Sequence, residues 1–220
     1  LAVLAVQLNE AGIVDDILSR LNPVLAKCPQ VVLDLLAVLP EECFNDHVDV
    51  EEDRRYEFAH ELQGSVSQVL SFLVSFTSSS QINHVAQTQA LKCFERWIDI
   101  IDISQSLLAN HPMMQFTLSA LRQEDLFDDA VEVLVTLFRR FGGMRAYHDD
   151  MLLPRTLLPH VLSLADLWKE NCDGPSRDED VCRGIARLFA ELAEGYVMII
   201  VNPSVGFHQP EIMQQLVACA

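Results

Sequence analysis

Acidic side chains recur at helical spacing on three segments of this 220-residue chain. At about 100° per residue, each set falls on one side of a helix while apolar residues fill most of the rest. A row of carboxylates can attract a basic protein or peptide, and the attraction weakens as salt rises. The candidate partner-binding residues are Glu95, Asp99 and Asp102; Glu124, Asp125, Asp128, Asp129 and Glu132; and Asp180, Glu191 and Glu194, which share their stripe with Arg183 and Arg187.

The same carboxylates have a second interpretation, which the sequence leaves open. Acids in a first helical turn complement the helix dipole, and a charged exposed face can serve solubility alone. Asp128, Asp129 and Glu132 lie further into their helix, so capping alone does not account for them. A metal needs oxygens that converge from several directions, which one straight helix does not supply. We therefore predict no metal ion and no other cofactor.

Histidine and cysteine, the usual catalytic side chains, form no recognisable site. The seven histidines are scattered without H-E-x-x-H spacing, and they read as surface residues. The chain has no G-x-S-x-G, P-loop or G-x-G-x-x-G motif. The six cysteines lack a C-x-x-C pair and favour packing in a reducing compartment over disulfides or zinc. These patterns predict that the protein is not an enzyme.

Two further features invite a binding hypothesis, each with a structural alternative. Arg54 and Arg55 follow an acidic run and could bind phosphate, but local ion pairing with Glu51 or Glu52 is the favoured explanation. Trp97 and Trp168 stand at helical spacing with other apolar residues. They are expected to belong to the core more than to a ligand platform.

Apolar periodicity predicts that helices carry all of these residues. The expected spans are 13–20, 31–39, 51–76, 83–102, 104–121, 124–141, 152–172, 177–201 and 212–219. Gly142 and Gly143 should end one helix, and Ser176 with Glu179 should form a capping box at the start of another.

The spans group into helical pairs at about 11–39, 51–102, 104–141 and 152–201, with another beginning at 210–220. Their spacing of about 40–50 residues is typical of HEAT and armadillo repeats. We therefore predict an all-α fold, an α-solenoid of antiparallel helix pairs. A compact helical bundle is the alternative. In a solenoid the second helices would align and bring the acidic stripes onto one concave surface.

Composition restricts the partners. Fifteen Lys and Arg against 32 Asp and Glu give a formal charge of −17, which disfavours binding to nucleic acid or an anionic membrane. The chain opens on an apolar run without Met, and we expect it to be a piece of a longer, soluble protein. Neither a signal peptide nor a membrane anchor is predicted.

A family resemblance covers nearly the whole chain. The stretch Val38, Leu39, Pro40, Glu41 and Glu42 closely resembles one in the transportin-SR receptors of the importin-β superfamily. The similarity continues in order. Its further matches are the pair Arg54 and Arg55, the C-x-x-x-W helix of Cys93 and Trp97, then Leu153 with Pro154, the helix at 187–192, and Asn202 with Pro203.

The resemblance implies a segment of a nuclear import receptor built of HEAT repeats. Such receptors shuttle between cytoplasm and nucleus, bind arginine-serine-rich splicing factors, contact phenylalanine-glycine nucleoporins and release cargo to Ran-GTP. The family's main Ran and cargo sites lie mostly outside the matched stretch, and its matched residues read as structural. A HEAT scaffold unrelated to transport and a helical enzyme with an unrecognised site are the other hypotheses.

Overall fold

Helices form almost all of the ordered structure in the computed structural model, which describes residues 1–8, 12–25, 27–77, 84–147, 151–172 and 178–201. Within these residues there are eleven α-helices and two 3₁₀ turns, and no strand. The helices are α1 (Ala2–Gln7), α2 (Ile13–Leu25), α3 (Pro29–Cys43), α4 (Glu52–Thr77), α5 (His84–Ile100), α6 (Gln105–Ala109), α7 (Pro112–Ala120), α8 (Phe127–Phe141), α9 (Leu152–Leu162), α10 (Leu164–Cys172) and α11 (Glu179–Ile200). The 3₁₀ turns are Glu124–Leu126 and Gly143–Tyr147.

The first compact unit, Leu1–Ile103, contains α1 to α5. Buried residues at three- and four-residue steps give each long helix one apolar face, such as Phe58, Leu62, Val69 and Leu73 on α4. Helix α2 contacts α4, and α3 contacts α5, so first helices of successive pairs pack on first helices and second on second. That arrangement is typical of a helical repeat.

The second unit, Ser104–Ala220, repeats the arrangement with a divided first helix. Helices α6 and α7 precede α8, and α9 and α10 precede α11. Helix α6 contacts α9, while α8 contacts α11. The all-α solenoid class predicted from the sequence is therefore confirmed.

Two spans expected to be single helices are divided. The span 104–121 breaks at Asn110 and His111, because Pro112 favours the first position of a helix, where no N–H is needed. The span 152–172 breaks at Ser163, whose N–H donates to the carbonyls of Pro159 and His160 in a tight turn. The helix expected at 212–219 lies outside the described residues.

Helix α11 begins later than the sequence suggested. Its N-cap is Asp178, whose Oδ1 accepts hydrogen bonds from the backbone N–H groups of Asp180 and Val181, both at 3.1 Å. The capping box of Ser176 and Glu179 is therefore wrong, because Glu179 is the first helical residue. Ser176 lies outside the described residues. An aspartate is as good an N-cap as serine.

One pair of cysteines is bridged, contrary to the expectation of reduced, packed thiols. A disulfide joins Cys172, at the end of α10, to Cys182 in the first turn of α11. The two Cα atoms are 5.7 Å apart, which is within the range that a disulfide spans. The sequence spacing of ten residues gave no sign of this, because the packing of α10 against α11 sets the distance. Of the described free cysteines, Cys43 and Cys93 are buried and Cys28 is exposed.

Candidate functional site

The first predicted acidic stripe, Glu95, Asp99 and Asp102, is less continuous than the sequence implied. Glu95 is half-buried on α5 with a carboxylate oxygen 3.7 Å from Nε of Arg96. Asp99 is exposed on the same helix. Asp102 is exposed too, but it lies two residues beyond the end of α5, so the helical projection was wrong for it.

The second stripe divides between a 3₁₀ turn and α8. Glu124 and Asp125 belong to the turn Glu124–Leu126, where three residues complete a turn, so projecting them at 100° per residue was wrong. Asp128 and Glu132 are exposed on α8 itself, and Asp129 is half-buried. Helix α8 is strongly amphipathic: its opposite side buries a continuous apolar surface into the second unit.

Helix α11 runs beside α8 in the same direction. The contacts, in order along α8, join Phe127 to Gly184, Glu132 to Arg187, Arg139 to Glu191 and Gly142 to Gly195. The numbers rise together, so the two helices are parallel. They present Asp180 and Glu194 as exposed residues and Glu191 as a half-buried one.

Two of the predicted acidic residues are neutralised across this helix pair. Both terminal guanidinium nitrogens of Arg187, Nη1 and Nη2, donate to Glu132, with Nη2 at 2.9 Å from Oε2. Arg139 likewise forms a forked pair with Glu191, and its Nε lies 3.0 Å from Oε2. The hydrogen bond from Arg139 lowers the pKa of the Glu191 carboxyl. Along this part of α8 and α11 the glutamates are ion-paired with arginines, so the surface is not a row of free carboxylates.

A second group of acids lies towards the N-terminal ends of α8 and α11. Glu124, Asp128 and Asp180 border one open groove of about 370 Å³ between the α7–α8 connection, α10 and α11. Asp178 borders it as well, and sequence reasoning missed this residue. Its position just before an acidic first turn was the available signal for an N-cap. The groove brings together three of the predicted residues with one new one.

The Arg54 and Arg55 pair is structural, but its partners are not those predicted. The buried Arg54 side chain lies 3.4 Å from a carboxylate oxygen of Glu61 and 3.6 Å from one of Glu57. Arg55 donates to the carbonyls of Cys43, Asn45 (3.2 Å) and Val48 (3.0 Å), at and just after the end of α3. Pairing with Glu51 or Glu52 was therefore wrong. With these donors directed to carbonyls and carboxylates, the phosphate hypothesis loses its basis.

The tryptophans differ from one another. Trp97 is fully buried, which confirms its assignment to the core. Trp168 on α10 is half-exposed.

The thiols and imidazoles give no support to a catalytic site. Burial raises the pKa of Cys43 to about 11 and raises that of Cys93 as well, so both favour the unreactive thiol. His47, His60, His84 and His160 are exposed as predicted. His111 is half-buried, and its Nδ1 caps α7 by accepting from the Met113 N–H at 3.3 Å.

Among the described residues, no group of three His, Cys, Asp or Glu side chains could hold a metal. No helix in this part of the chain is long and apolar enough to cross a membrane.

The packing of like helices on like helices within each unit defines an α-helical repeat protein. The family model described as exportin 1-like protein matches residues 1–134, more than half of the chain. The chain belongs to this family and is a karyopherin of the importin-β type.

Curated relatives agree with this assignment. The chain is 32% identical over 213 residues to Transportin MOS14 of Arabidopsis thaliana, covering 92% of this chain and 21% of that protein. It is 29% identical over 238 residues to mRNA transport regulator MTR10 of Saccharomyces cerevisiae, covering 97% and 23% respectively. It is 26% identical over 177 residues to Importin-13 of Gallus gallus, covering 80% and 17%. The chain thus spans about a fifth of the length of these relatives. Their names are those of transport proteins, which fits a protein that is not an enzyme.

Proposed function

We propose that the protein containing this chain is a nuclear import receptor that carries arginine-serine-rich splicing factors and releases them on binding Ran-GTP. It would shuttle between cytoplasm and nucleus through contacts with phenylalanine-glycine nucleoporins. The observation that carries the proposal is the family membership, together with relatives named as a transportin and an importin. The ordered resemblance to the transportin-SR receptors supports the choice of cargo.

The chemistry of this segment is compatible with that role. A formal charge of −17 favours basic protein partners over nucleic acid or anionic membranes. The exposed carboxylates Asp99, Asp128 and Glu194 belong to α5, α8 and α11, the second helices of their pairs. As proposed binding residues, the acids of these helices would contribute to steering a basic partner, and their effect would weaken as salt rises.

The test is fluorescence anisotropy of a labelled arginine-serine peptide on the full-length protein, followed by titration with Ran loaded with GTP or with GDP. The proposal expects binding that only the GTP form reverses. A nucleotide-indifferent complex would favour the alternative, a HEAT-repeat scaffold that binds a basic protein outside nuclear transport. Absence of peptide binding would overturn the choice of cargo.

A further inference from the structure

The groove at the start of α8 and α11 is lined by both apolar and acidic side chains. Its apolar walls include Phe127 from α8 and Val181 from α11. Its lining also includes the carboxylates of Glu124, Asp128 and Asp178. At about 370 Å³ it has room for one long side chain.

The carboxylates that line this groove differ in the hydrogen bonds and ion pairs that they form. Within the described part of the chain, Glu124 and Asp128 have neither a hydrogen bond nor an ion pair from their side chains. Both capping bonds that Asp178 accepts end on Oδ1. Asp180 pairs with Arg183 at 3.1 Å. The two side chains are 79% and 75% exposed, respectively, so the pair is weak.

A neighbouring depression along the same two helices provides a contrast. It has a volume of about 280 Å³ and is bordered by Glu132, Arg183 and Arg187. There the forked pair of Arg187 and Glu132 supplies the positive charge from within the chain. Among the described residues that line the larger groove, the one cation is Arg122, whose Nη2 lies 3.5 Å from the Ser163 carbonyl. Negative charge therefore exceeds positive charge among these described lining residues.

The wall of the groove is held in place covalently. Helix α10 contributes Leu167 and Asn171 to the lining, and α11 contributes Asp178, Asp180 and Val181. The Cys172–Cys182 disulfide joins these two helices next to the groove. The Asp178 N–H also donates to the Asn171 carbonyl at 3.0 Å. A preformed wall reduces the ordering that binding would require.

We propose that this groove docks a lysine or arginine side chain from a basic segment of a protein partner. The alkyl stem would pack on Phe127 and Val181, while the cationic head would lie among Glu124, Asp128 and Asp178. A long basic side chain suits such a groove because its stem is apolar and its head is charged. The inference deepens the proposed function and rests on it for the class of partner.

The first experiment maps contact directly on the full-length protein. A labelled peptide of alternating lysine and serine is bound and treated with a water-soluble carbodiimide, which joins an amine to a carboxylate only where the two touch. Mass spectrometry should place cross-links on Glu124, Asp128 or Asp178. Cross-links confined to other carboxylates would overturn the proposal.

The second experiment measures affinity in matched variants. Glu124→Gln with Asp128→Asn should weaken peptide binding by roughly three- to tenfold at low salt, an effect that shrinks at high salt. The control Asp46→Asn with Asp49→Asn changes net charge equally at two exposed positions of the first unit that are not proposed binding residues, and it should have a smaller effect. Equal effects of the two variants would indicate general charge attraction and would overturn the proposal that the groove docks a basic side chain.

The same peptide experiment separates this inference from the proposed function. Cross-links at the groove with no response to Ran-GTP would contradict import-receptor function and leave the docking site standing. Release by Ran-GTP without cross-links at the groove would support the receptor and contradict this site.

Discussion

The indole Nε1 of Trp97 on α5 donates a hydrogen bond of 2.8 Å to the carbonyl oxygen of Leu36 on α3. In an uninterrupted helix that carbonyl would accept from the residue four positions later, which here is Pro40. Proline has no N–H, so the indole supplies the donor that α3 lacks. Both residues are buried. The V-L-P-E-E and C-x-x-x-W motifs are therefore two parts of one contact between second helices.

Replacing Trp97 with Phe should lower the free energy of unfolding by about 1–3 kcal/mol, because the buried Leu36 carbonyl loses its donor. Trp97→Ala should cost more, about 3–5 kcal/mol, since it also leaves a cavity. Adding Pro40→Ala to Trp97→Phe restores a backbone N–H and should recover about 1 kcal/mol relative to additivity. Urea unfolding followed by circular dichroism measures the cycle. Simple additivity would contradict the shared acceptor.

The pair of Glu132 and Arg187 should contribute a salt-sensitive coupling between α8 and α11. In a double-mutant cycle with Glu132→Gln and Arg187→Gln, we expect a coupling of about 0.5–1 kcal/mol at low salt. It should fall when salt is raised towards 1 M, where exposed charges are screened within about 3 Å. The exposed pair of Asp180 and Arg183 is the control and should couple less. A larger coupling in the control would refute this account.

Gly142, just after the end of α8, lies close to the backbone of α11. A Cβ built on Gly142 would lie 2.5 Å from the Phe138 carbonyl oxygen and 2.7 Å from the Gly195 Cα, both backbone atoms. Gly142→Ala should therefore destabilise the protein by about 1–3 kcal/mol. Gly64→Ala is the control, because a Cβ there meets nothing within 4 Å, and it should stabilise α4 by about 0.5–1 kcal/mol. Thermal unfolding should show a lower melting temperature for Gly142→Ala and a higher one for Gly64→Ala.

The Cys172–Cys182 disulfide should contribute to the stability of the second unit. Cys172→Ser should lower its free energy of unfolding by about 2–4 kcal/mol, since the unbridged chain has more unfolded conformations. A dithiol reductant should produce the same loss in the natural sequence and no further loss in the variant. Cys28→Ser, at an exposed free thiol, should change little. Mass spectrometry after alkylation reports the bridge itself, and alkylation of both thiols without reductant would contradict it.

His111 should make stability depend on pH. Burial lowers its pKa from the ordinary 6.5, so the unfolded chain takes up a proton at a higher pH than the folded one. Stability is therefore fully present above pH 6.5 and falls as pH decreases towards the folded pKa. His111→Asn keeps a side chain suited to the N-cap and removes the titration, so its stability should vary less over this range. An equal pH dependence in both proteins would rule out this origin.

The sequence alone determined that the chain is helical and which class of fold it has, but not where the first helices of the second unit are divided. A helical period is written in the chain wherever one face is buried, as at Phe58, Leu62, Val69 and Leu73 on α4. The burial of Trp97 followed from the same pattern. Family motifs identified Pro40, Arg54, Arg55 and Trp97 as structural residues, but they did not say what each one contacts.

Tertiary structure alone decided which charges are free and which are paired. Glu132 and Glu191 looked like members of an acidic stripe, yet arginines of the neighbouring helix, some 50 residues away in the chain, neutralise them. The groove around Asp128 and Asp178 and the disulfide of Cys172 and Cys182 depend likewise on where one helix lies against another. The physical reason is the separation along the chain of the residues that set each feature. The buried face of a helix follows from residues three or four positions apart. Ion pairs, grooves and disulfides depend on distances between helices, which only packing sets.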